Sequence, residues 1–245
     1  MNQLTPAPRW ITDHPIAHRG YHDLAEGRPE NSLAAILAAA DAGFSTECDL
    51  QMSSTGEPMV FHDPTLDRMT GDSGKVWQMT PQQLAEMHLL GTDQVIDSLA
   101  TILERIDGRV PIILELKGNL DHDAGLVAGV AQCLRSYTGQ VAVMSFNHWL
   151  CDQFSQLMPH IARGLTAQGD DESYEGHIAA MRAYDLQFVS YKVQDVDCRF
   201  VREMRALGLP VITWTVRDEQ GQKRTNKYAD QMTFEGFDPR ERPNG

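Results

Sequence analysis

Residues 44–63 read FSTECDLQMSSTGEPMVFHD and gather side chains that can hold a cation and move protons. Read as a strand, the segment places Glu47 and Asp49 on one face, while Phe44, Thr46, Cys48 and Leu50 point to the other. Two carboxylates this close repel each other unless a cation or a shared proton relieves them. Hard divalent cations such as Mg2+ and Ca2+ prefer such oxygen ligands. A solvated strand end also tolerates an acidic pair, so the continuation matters. A turn over 53–58 leads into the apolar run Met59-Val60-Phe61, which delivers His62-Asp63 back beside the carboxylates.

Comparable chemistry recurs elsewhere. Pro15-Ile16-Ala17 reads as a short strand ending in His18-Arg19-Gly20, which puts a titratable ring and a phosphate-matching guanidinium before a residue that permits a sharp exit. The segment VPIILELK, 110–117, places Pro111, Ile113, Glu115 and Lys117 on one face and Ile112, Leu114 and Leu116 on the other. Apolar residues on both faces indicate a strand buried on both sides, and a Glu and a Lys at its end need partners there or a solvated mouth. In PVITWTV, 210–216, Trp214 stands near the carboxyl end, where it either lines a site or packs at a rim.

Strand patterns fall at 15–17, 44–50, 110–117, 141–145, 161–165, 186–190, 210–216 and 228–234, with helical patterns between them. Asn31 or Ser32 is placed to cap the Ala-rich helix that Gly43 closes, and further helices are expected from 98, 148, 171, 196 and 217. Eight strands alternating with helices predict a TIM-type (β/α)8 barrel, a single α/β domain over 1–245, with a small irregular insertion at 53–97 after the second strand. Within the insertion, the 70–75 run TGDSGK lacks the spacing of a phosphate loop and reads as a polar turn, and His88 reads as a surface residue. Asp121-His122-Asp123 precedes a helix that acidic residues favour, so Asp121 reads as a cap and His122 stays unassigned.

Composition narrows the function classes. A net charge of −13 argues against nucleic acid or an anionic membrane surface as partner. The sequence has no apolar run of membrane-spanning length, and a cytoplasmic protein is expected. Cys48, Cys133, Cys151 and Cys198 are scattered without metal or redox spacing and are expected to be reduced thiols. Homo-oligomerisation is left open.

In a barrel, His18, Arg19, Glu47, Asp49, Glu115, Lys117 and Trp214 would all stand at strand carboxyl ends, where such folds place their active sites. Three carboxylates, two imidazoles and two cations suit phosphoryl transfer at a diester. HRG at 18–20, PENS at 29–32, ECDLQMSSTGEPMVFHD at 47–63 and LELK at 114–117 together resemble the glycerophosphodiester phosphodiesterase family.

The resemblance implies hydrolysis of small-molecule glycerophosphodiesters to glycerol 3-phosphate and an alcohol, with one divalent cation, Mg2+ or Ca2+. It implies Glu47, Asp49 and Glu115 as ligands, His18 and His62 as acid and base, and Arg19 and Lys117 as phosphate contacts. Glu30 and Asn31 correspond to the family's Glu-Asn pair at the site. Alternatives within this reading are a lyase that stops at a cyclic phosphate, a lysophospholipase D-like activity, for which the insertion's Met69, Val76, Trp77, Met79 and Leu84 offer only a modest apolar rim, and a non-catalytic phosphodiester-binding barrel. The chain departs from the family at its end, where 229–239 reads ADQMTFEGFDP in place of a Gly-Ile-x-Thr-Asp-x-Pro type segment.

Overall fold

The computed structural model describes residues 4–119 and 122–241. Its strands are β1 (Ile16–Ala17), β2 (Ser45–Met52), β3 (Pro58–Val60), β4 (Ile112–Leu116), β5 (Val141–Ser145), β6 (Ala162–Ala167), β7 (Phe188–Lys192), β8 (Val211–Val216) and β9 (Gln231–Phe234). All except β3 pair in parallel. Because β1 pairs with both β2 and β9, the eight parallel strands close into a barrel.

Helices α1 (Leu33–Ala42), α2 (Asp67–Thr70), α3 (Pro81–Leu84), α4 (Leu99–Ile106), α5 (Leu126–Leu134), α6 (His148–Leu157), α7 (Tyr174–Ala183), α8 (Arg199–Ala206) and α9 (Glu219–Tyr228) connect them. The predicted (β/α)8 barrel is the observed fold.

Its interior follows from side-chain alternation. Ile16, Ile113, Ala142, Met144, Ala162, Phe188 and Ile212 pack together inside, with Ala7 and Ile11 of the lead-in joining them. Phe188 takes up space that Gly164 leaves: a Cβ at Gly164 would lie 2.3 Å from the Phe188 ring. Each step of two along a strand returns to the same face, so Ile113 in this core implies Glu115 above it.

β1 is short, and the consequence is functional. Along β2 its two residues reach only Ser45 and Thr46, after which β3 runs antiparallel along β2, with Leu50 opposite Val60 and Met52 opposite Pro58. This hairpin delivers His62 to the barrel mouth. Beyond it, the insertion builds its own core from Met59, Phe61, Leu66, Met69, Val76, Leu84, Leu89 and Ile96. The modest apolar rim expected here is reduced to Trp77 and Met79, which stay part-exposed: Met69, Val76 and Leu84 are buried inward, because a segment of this size satisfies its apolar side chains against itself.

The capping choice left open at Asn31-Ser32 resolves. The Ser32 hydroxyl accepts from Ala35 N at 3.1 Å, and Gly43 closes α1 at φ 74°. Several boundaries differ from expectation. β2, β6 and β7 end two residues later than the patterns at 44–50, 161–165 and 186–190 indicated, β4 and β7 start two residues later than 110 and 186, and the last strand starts at Gln231 because α9 runs on to Tyr228. α9 is polar almost throughout, burying only Gly221 and Thr225, so its apolar periodicity is too weak to mark its end. Asp121 lies outside the described residues. His122 stacks on Trp77 at 4.7 Å, and His88 is exposed with Nδ1 2.9 Å from Thr92 O. The four cysteines are free.

Candidate active site

A cavity of about 210 Å³ opens at the carboxyl ends of the strands, lined by His18, Arg19, Glu47, His62, Glu115, Lys117, Trp214 and neighbouring residues. Register builds its floor. In the parallel ladder Glu47 faces Ile113 and Asp49 faces Glu115, so three carboxylates sit on two adjacent strands. Ligand oxygens of Glu47, Asp49 and Glu115 lie within 4.8 Å of one another, and all three residues are buried.

The electrostatics of the trio favour a cation. Burial, then the charges of Asp49 and Glu115, push the Glu47 carboxyl well above the usual carboxylate range. Arg19 N donates to Glu47 Oε2 at 2.9 Å, whereas Glu47 Oε1 is buried without a hydrogen-bond partner among the described residues. Asp49 is the opposite case. Burial opposes its ionisation, but Lys117 and Arg19 outweigh that and hold it far below its ordinary value. An orphaned carboxylate oxygen beside two further carboxylates fits a hard divalent ion such as Mg2+ or Ca2+, which takes oxygen ligands.

The two cations read from sequence as phosphate contacts converge on the same trio. Lys117 Nζ lies 2.9 Å from Asp49 Oδ1 and 2.6 Å from Glu115 Oε1; Arg19 Nε lies 3.2 Å from Asp49 Oδ2. Arg19 holds φ 55°, a left-handed conformation that non-glycine residues adopt at a cost, commonly at functional sites. The following Gly20 has φ 81°, and a Cβ there would come within 2.7 Å of the Ala35 backbone. The tight exit after His18-Arg19 thus depends on α1 packing against a residue without a side chain.

Asn31 enters as a clamp on Asp49. Its Nδ2 donates to Asp49 Oδ2 at 2.8 Å, and its Oδ1 accepts from Asp49 N at 3.1 Å. Glu30 stands farther out, where it accepts from Arg19 Nη1 at 2.7 Å and from both terminal nitrogens of Arg68.

Each imidazole is backed by a carboxylate. His62 Nδ1 is 2.6 Å from Asp63 Oδ1, and Arg68 Nε donates to Asp63 Oδ2 at 2.6 Å. His18 Nδ1 is 2.5 Å from Glu235 Oε2, and Arg217 Nε donates to Glu235 Oε1 at 2.6 Å. Burial lowers the pKa of His18, with the Glu235 hydrogen bond opposing it, which favours the neutral ring. Gln51, two residues beyond Asp49 on the same face, donates to His62 O at 2.7 Å and accepts from Asn119 Nδ2 at 2.5 Å, tying the hairpin end to the loop after β4.

Trp214 lines the cavity, donates its indole N–H to Ser190 O at 3.1 Å, and meets the half-exposed Phe146 edge-on at 5.4 Å. The structure therefore brings His18, Arg19, Glu47, His62, Glu115, Lys117 and Trp214 to one cavity wall, with Asp49, Asn31 and Glu30 directly behind or beside them. Sequence reasoning missed Glu235, Arg217, Arg68, Lys192 and Gln51. Gln51 continues the Glu47–Asp49 alternation and was legible. Lys192 was hidden because β7 was ended too early.

Carboxylates arranged for a hard cation, two imidazoles in one cavity and flanking guanidinium and ammonium groups define a barrel hydrolase of phosphoryl-transfer type. The comparisons with known proteins narrow this class. The sequence model of the glycerophosphoryl diester phosphodiesterase family matches residues 18–236. A glycerophosphodiester phosphodiesterase of Caldanaerobacter subterraneus is 27% identical over 224 residues, covering 86% of this chain and 89% of that protein.

Among solved structures, an Oleispira antarctica phosphodiesterase in complex with the product sn-glycerol-3-phosphate superposes with TM-score 0.80 at 25% identity, covering 92% and 93% of the two chains. A Thermotoga maritima glycerophosphodiester phosphodiesterase shares the fold at TM-score 0.72 and 23% identity, covering 89% of this chain and 92% of that one. The chain belongs to the glycerophosphoryl diester phosphodiesterase family, and it is a phosphoric diester hydrolase. Among the described residues, no helix is long and apolar enough to cross a membrane.

Proposed function

We propose that the protein hydrolyses glycerophosphodiesters to glycerol 3-phosphate and an alcohol, using one divalent cation and the His18–His62 pair. The observation that carries this reading is the convergence of Glu47, Asp49 and Glu115 oxygens within 4.8 Å in the cavity that both imidazoles line. Glu47, Asp49 and Glu115 would hold the cation, Mg2+ or Ca2+, whose positive charge would offset the negative charge of the diester.

The protein's own groups perform the rest. Arg19 and Lys117, now paired with Asp49, offer N–H donors on the floor of the cavity to the phosphate. His18 is buried with Nδ1 engaged by Glu235, which leaves Nε2 to accept the proton of the glycerol 2-hydroxyl as its oxygen attacks phosphorus and closes a cyclic phosphate. His62, part-exposed at the mouth, gives a proton from Nε2 to the departing alkoxide. In the second half the roles reverse. Water loses a proton to His62 as it opens the cyclic phosphate, and His18 returns its proton to the 2-oxygen. Trp214 and Phe146 form an aromatic wall for the organic part of the substrate.

With Met69, Val76 and Leu84 packed inward and only Trp77 and Met79 part-exposed, the insertion offers little apolar surface to a lysophospholipid chain, which supports the small-molecule reading. Both histidines, each backed by a carboxylate, favour catalysis over simple binding.

The test is release of glycerol 3-phosphate from glycerophosphocholine and glycerophosphoethanolamine by wild type, His18→Gln and His62→Gln. Loss of about 10²- to 10⁴-fold in kcat for each variant is expected. Hydrolysis by both variants at the wild-type rate would overturn the assignment.

A further inference from the structure

We infer that Glu235, itself held by Arg217, is a positioning residue that fixes the His18 ring for proton transfer across the seam where the barrel closes. The inference rests on the reading of His18 as a proton-transfer residue and adds a role for the divergent carboxyl-terminal segment.

Register produces the contact. Ile16 pairs with Thr233 and Ala17 with Phe234, so the next residues in parallel register are His18 and Glu235. On the other side Val216 pairs with Phe234, which brings Arg217 level with Glu235. Two backbone bonds lock this layer: His18 N donates to Phe234 O at 2.9 Å, and Glu235 N donates to Val216 O at 3.0 Å. Three residues that immediately follow β1, β9 and β8 thus form one row, imidazole, carboxylate, guanidinium, with side-chain separations of 2.5 and 2.6 Å.

The chemistry of the row is directional. A carboxylate at Nδ1 selects the tautomer with the proton on Nδ1 and leaves Nε2 as an acceptor, and it steadies the imidazolium formed once Nε2 takes a proton. With Arg217 on its second oxygen, Glu235 has a fixed plane rather than a free rotor. The other imidazole has the same backing from a different part of the chain, His62–Asp63–Arg68, so each proton-transfer ring sits in front of a carboxylate that an arginine holds. His22 Nε2 also lies 3.7 Å from Glu235 Oε2, beyond hydrogen-bond length, and is the control for which ring the carboxylate serves.

The experiment pairs a structural readout with kinetics on the full chain. Long-range 1H–15N spectra of the histidine side chains, assigned with His18→Gln, are expected to place the His18 proton on Nδ1 with a strongly downfield shift. That signal should move upfield or vanish in Glu235→Gln and Glu235→Ala, and persist in His22→Gln. A wild-type ring protonated on Nε2, or a His18 signal unchanged in both Glu235 variants, would overturn the inference.

In the hydrolysis assay, Glu235→Ala is expected to lower kcat about 10- to 100-fold with KM little changed, Glu235→Asp to recover part of the loss, and Arg217→Gln to lower kcat less than Glu235→Ala. A folded Glu235→Ala enzyme with kcat within twofold of wild type would likewise overturn it. If wild type hydrolyses no glycerophosphodiester, the proposed function fails while the spectra still decide the clamp.

Discussion

Asn31 grips Asp49 at two points, donating from its side-chain amide to Oδ2 at 2.8 Å and accepting from the Asp49 backbone N–H at 3.1 Å. One short side chain thereby sets both the rotamer and the strand position of a cation-ligand candidate. Asn31 holds φ 58°, which Asn tolerates better than most residues. Asn31→Gly keeps that backbone accessible and removes only the grip. We expect it to weaken Mg2+ or Ca2+ binding about 10- to 100-fold by calorimetry, the usual consequence of losing a group that orients a ligand. Asn31→Ala should show the same loss plus lower stability, because Ala pays for the left-handed backbone. Wild-type affinity in Asn31→Gly would contradict the role.

Gly20→Ala probes the turn that presents His18 and Arg19. The new Cβ would meet the Ala35 backbone at 2.7 Å from a residue at φ 81°. A strained conformation of this kind costs about 1–3 kcal/mol, and at roughly 2–4 °C per kcal/mol for a chain of this size the melting temperature should fall by several degrees. An unchanged Tm would mean that α1 can move away, and that the close approach is not needed.

Arg68 joins Glu30, the partner of Arg19, to Asp63, the partner of His62. Burial disfavours the Glu30 carboxylate, but hydrogen bonds and charge from Arg68 and Arg19 pull its pKa below the ordinary value; Asp63 is lowered in the same way by Arg68 and His62. Groups depressed in the fold contribute stability above their unfolded pKa, at about pH 4, and lose it as pH falls through the lower folded values. Wild type should therefore be more stable than Arg68→Gln at neutral pH, with the two unfolding curves converging toward about pH 3. A gap that is constant with pH would show that Arg68 contributes through packing alone.

Much of this site was legible because strand alternation converts spacing directly into geometry. Glu47 with Asp49, and Glu115 with Lys117, needed only the period of two and a buried strand to be placed together. What the sequence could not supply were contacts made by closure. Glu235 meets His18 from 217 residues away, in a segment where the family-like pattern stops, and only the pairing of β1 with β9 brings them level.

Arg68 was hidden for a different reason. It lies in an irregular insertion, where no periodicity says which way a side chain points. The inward packing of Met69, Val76 and Leu84 was hidden on the same account, since an exposed rim and a private core have equal hydrophobicity in one dimension. Boundaries failed where helices lack an apolar stripe, as in α9.

The most direct test of the central claim is cation dependence in one assay. Enzyme stripped with EDTA and desalted is offered glycerophosphocholine and glycerophosphoethanolamine, with Mg2+ or Ca2+ then titrated back, for wild type and Glu47→Gln. We predict that glycerol 3-phosphate release stops on stripping, returns with saturable cation dependence in wild type, and stays low in Glu47→Gln. Full turnover by the stripped enzyme, or equal recovery in the variant, would contradict the assignment of Glu47, Asp49 and Glu115 as the cation site on which the account stands.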